Sequence, residues 1–325
     1  MSATHIHEEL AHFCKSAADV LRVAVLRILH HDSFSVQELC QIFGLKQSAM
    51  SHHLKVLYAS QLVTTRREGN TIYYRRRVFS HDHPLAALQV ALFETLDRSP
   101  PESSVAAGIR EVEKQREHSS RTFFLDNADK FRAQQDLIAR FDHYAEGVQA
   151  LLGTIPLPSR KQAVEIGPGD GLFLPTLARL FDSVAAFDTS SAMVRSAREL
   201  VQKAQLGHVT VHLGDIRTAL AQLRNVDCVV INMVLHHVAT PVEIFHDIGK
   251  LLAPGGALVV TDLCHHDQSW AKEACGDIWQ GFDPDDLTAW AKHANLAEGQ
   301  SSYLALRNGF RIQIRHFQKP VSTFP

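Results

Sequence analysis

The sequence is short of the features that mark secreted, membrane-bound or metal-clustered chains. Its five cysteines, Cys14, Cys40, Cys228, Cys264 and Cys275, are odd in number, far apart and nowhere in a C-x-x-C pair. That excludes a disulfide framework and a zinc knuckle, and the residues read as reduced thiols. No apolar run approaches the roughly 20 residues that cross a bilayer. The stretch from Val226 to Val238 is broken by Asp227, Asn232 and a His pair. The N-terminal run MSATHIHEELAHFC lacks the basic start, apolar stretch and cleavage site of a secretory signal, so the chain reads as cytoplasmic, with no membrane partner. There is little excess charge either, since 33 Lys and Arg face 35 Asp and Glu. Binding to nucleic acid would therefore need a local excess of positive charge. One exists: Lys46, Lys55, Arg66, Arg67, Arg75, Arg76 and Arg77 are opposed only by Glu68.

With 45% apolar and 21% charged residues, the 325-residue chain can fill two cores, which excludes general disorder. The Pro and Ser cluster Asp97-Arg-Ser-Pro-Pro-Glu-Ser-Ser104 marks a break. It divides the chain into residues 1–97, a linker at 98–108, and residues 109–325. Before it, Leu10, Phe13, Ala17, Leu21, Val25, Ile28 and Leu29 recur at helical spacing. After it, Arg110 to Leu152 reads as one or two amphipathic helices with Phe123, Phe124, Phe131, Leu137, Phe141 and Tyr144 on the apolar side. Then short β-branched runs at 162–166, 183–187, 209–213, 226–234 and 257–261 alternate with helical stretches. This is the pattern of βαβ units on a parallel sheet, so the fold class is α/β with a smaller, mainly helical N-terminal domain.

In the first part, Ser35-Val-Gln-Glu38 has the form of a capping box, opening a helix that Gly44 can end in a left-handed turn. A second helix starts at about Gln47. Met50, Leu54 and Leu57 fall on one of its faces, and Gln47, Ser48, Ser51, His52 and Lys55 on the other. Short hydrogen-bonding side chains followed by a cation are what base edges and phosphates in a major groove call for. Next comes a basic hairpin: Leu62 to Arg67, the turn Glu68-Gly-Asn70, then Thr71 to Arg75.

Through AADVLRVAVLRIL, SVQELCQIFGLKQSAMSHHLKVL and LVTTRREGNTIYYR, this segment resembles the ArsR family of winged helix-turn-helix repressors. The resemblance implies a homodimer on a palindromic double-stranded operator. The helix from Gln47 to Leu57 would lie in the major groove, and Arg66, Arg67 and Asn70 along the backbone or minor groove. Metal-sensing relatives carry E-L-C-x-C, whereas this chain has Glu38-Leu39-Cys40-Gln41-Ile42, so Cys40 reads as a core residue. Of a second zinc pattern in some relatives, His81, His83, Glu94 and Asp97 keep the spacing but only one matching residue type. No metal site is expected there.

In the second part, Val164-Glu-Ile-Gly-Pro-Gly-Asp-Gly171 ends a strand and opens a helix, with G-x-G-x-G spacing rather than the dinucleotide G-x-G-x-x-G. Glu165 can hold an amine or a group near a positive centre, Asp188 can accept both hydroxyls of a ribose, and Asp215 can accept the adenine amine. From Phe123 to Phe317 the chain looks like a class I methyltransferase that binds S-adenosylmethionine. Supporting marks are Ile231-Asn-Met-Val-Leu-His-His-Val238, Leu251-Leu-Ala-Pro-Gly-Gly256 and a closing hairpin around Arg307-Asn-Gly309. The resemblance implies a Rossmann-like, mostly parallel seven-stranded sheet. It places Glu165, Gly167, Gly169 and Gly171 at the methionine moiety, Asp188 at the ribose, Asp215 with Ile216 at the adenine, and Asn232 under the sulfur.

The acceptor side carries no signature. There is no N-P-P-Y or D-P-P-Y loop, no Pro-Cys nucleophile and no arsenic-type cysteine constellation. No catalytic residue is assigned. His236 and His237 read as a helix-start or packing pair rather than a general base, and the side chains of His265, His266 and Asp267 should diverge on an extended segment. The sequence thus points to a DNA-binding transcriptional regulator, a repressor, whose second domain senses S-adenosylmethionine or S-adenosylhomocysteine. The enzyme-class alternative is a small-molecule methyltransferase with an autoregulatory DNA-binding domain. A metal-responsive repressor with a degenerate second domain is disfavoured by the intact glycine loop and acids.

Overall fold

The computed structural model describes residues 3–30, 32–68, 71–80, 82–126, 135–268 and 270–321. It divides into two compact units, Met1–Arg116 and Glu117–Pro325. The first unit contains helices α1 (Ala3–Ala17) and α2 (Val20–Ile28), strand β1 (Phe34–Ser35), helices α3 (Val36–Phe43) and α4 (Gln47–Ala59), the hairpin β2 (Val63–Glu68) and β3 (Thr71–Arg76), and α5 (Ala86–Asp97). It also holds the first half of α6 (Ser103–Asp126). The three strands form one antiparallel sheet in the order β1-β3-β2.

Local chemistry sets these boundaries. The Ser35 hydroxyl accepts the Glu38 N–H and the Glu38 carboxylate accepts the Ser35 N–H, closing the capping box, and Gly44 ends α3 at φ 64°. Met50, Leu54 and Leu57 bury one face of α4 completely against Leu26 and Leu39. Pro100 and Pro101 separate α5 from α6, yet the unit continues to Arg116 for two reasons. A Cβ on Gly108 would come within 2.8 Å of the Ile42 backbone, so α6 packs tightly on α3. Arg116 is also drawn in by acids. Its guanidinium donates to Asp32 Oδ2 at 2.6 Å, to both Glu38 oxygens at 2.8 and 3.0 Å, and to the Ser33 carbonyl at 2.8 Å.

The second unit is a seven-stranded sheet with helices between the strands. After α7 (Phe141–Thr154) come β4 (Gln162–Ile166), α8 (Leu174–Leu180), β5 (Ser183–Asp188), α9 (Ser191–Lys203), β6 (Val209–Leu213), α10 (Ile216–Gln222) and β7 (Val226–Asn232). A 3-10 turn (Leu235–His237) leads to α11 (Pro241–Leu251), β8 (Leu252–Leu263), α12 (Trp270–Cys275), α13 (Pro284–His293), β9 (Ala297–Ala305) and β10 (Arg311–Gln318). The strand order is β6-β5-β4-β7-β8-β10-β9, with the first five parallel and the last two antiparallel. Every residue of β7 is buried, as expected for a parallel strand covered on both faces. The order reverses at β4, which lies between β5 and β7. In open α/β sheets the crevice beyond the strand ends at such a reversal is where ligands bind.

One expectation fails near α7. Phe141 and Tyr144 pack on the core, but Leu137 is 60% exposed. Asn308 Nδ2 donates to the carbonyls of Leu137 and Ile138, which holds this helical turn with Ile138, not Leu137, inward. Phe123, Phe124 and Phe131 lie outside the described side chains.

Candidate nucleoside and DNA sites

The strand ends around β4 gather the residues that the glycine loop pointed to. Gly167 and Gly169 both have left-handed φ, 68° and 55°. A Cβ on Gly167 would collide with Val234, whereas one on Gly169 would project into open space. The loop therefore presents bare backbone to the crevice at Gly169, the close approach a ligand requires. Asp188, at the end of β5, ties that loop down. Its Oδ2 accepts the Gly169 N–H at 3.2 Å and its Oδ1 the Ser190 N–H at 2.8 Å. Burial holds the Asp188 carboxyl above its usual range, partly offset by those two N–H groups.

Glu165 is 2% exposed. Burial pushes its carboxyl up to about 8, although Asn232 Nδ2 donates to Oε1 at 3.3 Å. Its Oε2 and Asn232 Oδ1 have no hydrogen-bond partner among the described residues. Two buried, unpartnered oxygens on hydrogen-bonded neighbours fit a cationic donor, such as the amine of an amino-acid moiety. At the end of β6, Asp215 caps α10, its Oδ1 accepting from the Thr218 N–H and hydroxyl at 3.0 and 3.1 Å, with Ile216 buried beside it. Glu165, Gly167, Gly169, Gly171, Asp188, Asp215, Ile216 and Asn232 thus all lie at the same ends of neighbouring strands or just beyond them. Tyr144, read from the sequence only as part of an apolar helix face, is half-buried within electrostatic reach of Glu165. Burial raises its hydroxyl well above the usual range, and Glu165, Asp136 and Asp262 add to the shift.

In the first unit, Gln47, Ser48, Ser51, His52 and Lys55 are all exposed on the α4 face opposite Met50, Leu54 and Leu57. Arg67 is exposed on the wing. Arg66 is placed otherwise. It is 8% exposed, with Nη2 2.6 Å from Glu68 Oε1. Glu68 is the last residue of β2 rather than a turn residue, so it falls two positions from Arg66 on the same buried face. Arg76 is also committed internally: it clasps Asp97 at 2.7 and 3.0 Å, donates to the Leu26 carbonyl and stacks on Phe93. The outward basic charge thus comes from Lys46, Lys55, Arg67 and Arg77. Asn70 lies outside the described residues.

Comparison with known proteins matches the same two units. Residues 19–65 match the bacterial regulatory protein arsR family and residues 164–260 a methyltransferase domain. The nodulation protein NolR of Rhizobium meliloti is 42% identical over 67 residues, 21% of this chain and 55% of that protein. An uncharacterized methyltransferase of Mycobacterium tuberculosis is 30% identical over 178 residues, 50% of this chain and 86% of that protein. Residues 19–65 thus carry an arsR-type helix-turn-helix, and the second unit belongs to the methyltransferases. A structure of the Haloferax volcanii Trm112 methyltransferase activator complexed with a methyltransferase shares the fold, with a TM-score of 0.50 at 16% identity over 62% of this chain and 98% of that one. Several curated relatives are covered only in part, the chain spanning 36%, 45% and 55% of three of them. Among the described residues, no helix is long and apolar enough to cross a membrane.

Among the described residues, the candidate ligands of the arsR-type zinc pattern have other partners. Asp97 is taken by Arg76 and His30, His83 Nδ1 accepts the Leu85 N–H, and Glu94 faces Arg98. His81 lies outside the described residues. Of His265, His266 and Asp267, which were expected to diverge, only His266 turns away into the interior, while His265 Nε2 lies 3.9 Å from the fully exposed Asp267 Oδ1. His236 and His237 open no helix of their own but form the 3-10 turn beyond β7, beside Asp262 and Asp277. Neither acid was picked out from the sequence. Asp262 hid at the end of a β-branched run, and nothing in the spacing marked Asp277.

Proposed function

We propose that the protein is a transcriptional regulator in which the arsR-type unit binds a palindromic operator as a homodimer and the methyltransferase unit senses S-adenosylmethionine or S-adenosylhomocysteine. The observation that carries the sensor half is the pair of buried, unpartnered oxygens on Glu165 and Asn232 beside an open glycine loop. In this reading Glu165 holds the methionine amine, Asp188 the ribose hydroxyls, Asp215 and Ile216 the adenine, and Asn232 lies beneath the sulfur. Gln47, Ser48, Ser51, His52 and Lys55 read the major groove, Arg67 and Asn70 follow the backbone, and the chain works in the cytoplasm.

Regulation requires that the DNA-bound and DNA-free forms differ in affinity for one nucleoside, because a ligand with equal affinity for both shifts nothing. Linkage makes the effect reciprocal, so it is readable at the pocket. Calorimetric titration of both nucleosides into the full chain, alone and saturated with a duplex recovered by in-vitro selection, tests this. Expected is one nucleoside whose Kd changes by about 5-fold to 150-fold when DNA is present. Binding of neither nucleoside would remove the sensor reading. Binding indifferent to DNA, together with methyl transfer to a small acceptor, would favour an enzyme with an autoregulatory domain.

A further inference from the structure

A second buried cluster stands at the ends of β7 and β8, and the nucleoside reading makes no use of it. Beyond β7 the 3-10 turn sets two consecutive imidazoles against the last residues of β8. His236 is 1% exposed, and its Nδ1 lies 2.7 Å from Asp262 Oδ1. That carboxylate is itself fixed by the N–H groups of Leu263 at 2.8 Å and Leu235 at 2.9 Å. An ionised carboxylate only accepts, so His236 donates from Nδ1 and turns Nε2 the other way. There Nε2 lies 3.9 Å from Asp277 Oδ1, and His237 Nδ1 lies 3.5 Å from the same oxygen.

The ligand atoms of His236, His237 and Asp277 all lie within 4.8 Å of one another. Ligand atoms bonded at roughly 2.0–2.2 Å to one tetrahedral ion stand about 3.4 Å apart, so a small closing movement brings this set to bonding distance. The loop bearing Asp277 is already clipped to the histidines, since the N–H groups of Ile278 and Trp279 donate to the His236 carbonyl at 2.9 and 3.0 Å. The Gln135 amide nitrogen lies 3.3 Å from His237 Nε2; for Nδ1 to carry the lone pair that binds an ion, this amide turns end for end so that its oxygen accepts the Nε2 proton. Asp277 is buried, so its carboxylate would meet an ion with little competition from bulk water.

We propose that His236 Nε2, His237 Nδ1 and the Asp277 carboxylate bind one divalent first-row transition ion of the zinc type, with Asp262 as the outer partner that fixes the His236 tautomer. Two imidazoles and a carboxylate suit such an ion and not magnesium or calcium, which take oxygen ligands. The site stands whether or not a nucleoside binds at the glycine loop.

Zn²⁺ itself is the probe. The full chain, stripped with a chelator, is titrated with Zn²⁺ against a chromophoric competitor, and bound metal is counted by mass spectrometry. Expected is one Zn²⁺ per chain, bound about 10-fold to 100-fold more weakly by Asp262→Asn and at least as much more weakly by His237→Gln and Asp277→Asn. Cys14→Ser and Cys40→Ser should bind as the wild type does. No stoichiometric Zn²⁺ in the wild type, equal affinity in Asp277→Asn, or loss of binding in a cysteine variant would each overturn the assignment. Because a buried substitution can unfold the chain, Co²⁺ loading of the wild type gives a second reading. Visible bands of a four- or five-coordinate nitrogen and oxygen site, without thiolate charge transfer, support the assignment. A thiolate band, or no bound Co²⁺, contradicts it.

Discussion

The two units differ in what stands beside their buried acids. In the arsR-type unit each acid just described faces a guanidinium: Asp32 and Glu38 hold Arg116, Glu68 holds Arg66 and Asp97 holds Arg76. Such clusters are complete within the fold. At the strand ends of the methyltransferase unit, Glu165 is hydrogen-bonded to an amide and Asp262 to an imidazole. Burial lifts acids in both units, but Arg116 partly offsets the rise at Asp32, which reaches about 6, whereas Glu165 has only the Asn232 amide beside it and reaches about 8. The contrast separates charge that holds a fold together from charge set to meet a ligand.

The sharpest way to break this contrast is to remove a guanidinium. Arg116→Ala leaves Asp32 and Glu38 buried beside no counter-charge and should cost about 3–5 kcal/mol, whereas exposed ion pairs are worth under ~1 kcal/mol. Urea unfolding of the full chain, followed by a probe in the first unit, reads the loss. An unchanged midpoint would mean that the cluster is not structural.

The opposite behaviour is expected at Glu165. Below about 8 its carboxyl holds a proton that must leave before it can pair with a cationic amine, so nucleoside affinity should rise by up to about tenfold per pH unit toward 8 and then level off. Calorimetry at pH 6, 7 and 8 checks this, and Glu165→Gln should flatten the profile. A slope that persists in that variant would assign the titration to another group.

Asp188→Ala removes the acceptors proposed for the ribose and releases the Gly169 and Ser190 N–H groups. Nucleoside affinity should then fall by about 1–3 kcal/mol, the range for hydrogen bonds to a charged group. On the exposed side, Ser51→Ala or His52→Ala should weaken operator binding by about 1–3 kcal/mol per lost base contact. The smallest effect separates the two wing arginines. Arg67→Ala should weaken binding to every sequence and lower the salt slope by about 1, since it deletes one phosphate contact. Arg66→Ala should act on stability, because its partner is Glu68. If Arg66→Ala instead lowers the salt slope without destabilising the fold, the ion pair is not what occupies it.

What could be read in advance follows from distance along the chain. The strands at 162–166 and 209–213 match their β-branched runs residue for residue, and α4 keeps its apolar and polar faces, because both are local periodicities. The acids proposed for the nucleoside could be singled out in the sequence because each stands at or just beyond the end of a strand. Arg66 was misread because its fate depends on which hairpin face is buried, which composition does not say. Arg116 was not singled out at all, since its acids lie 78 and 84 residues away. Asp262 is 26 residues from His236, and no motif spacing links them before the sheet brings β7 beside β8.

The central claim is that the pocket and the α4 face belong to one device, and operator affinity tests it most directly. Fluorescence anisotropy with the selected duplex, measured with no ligand and at saturation with each nucleoside, should show one nucleoside changing the Kd by about 5-fold to 150-fold and the other doing less. The same Kd with neither, either or both, from a protein that calorimetry shows to bind the nucleosides, would contradict the claim.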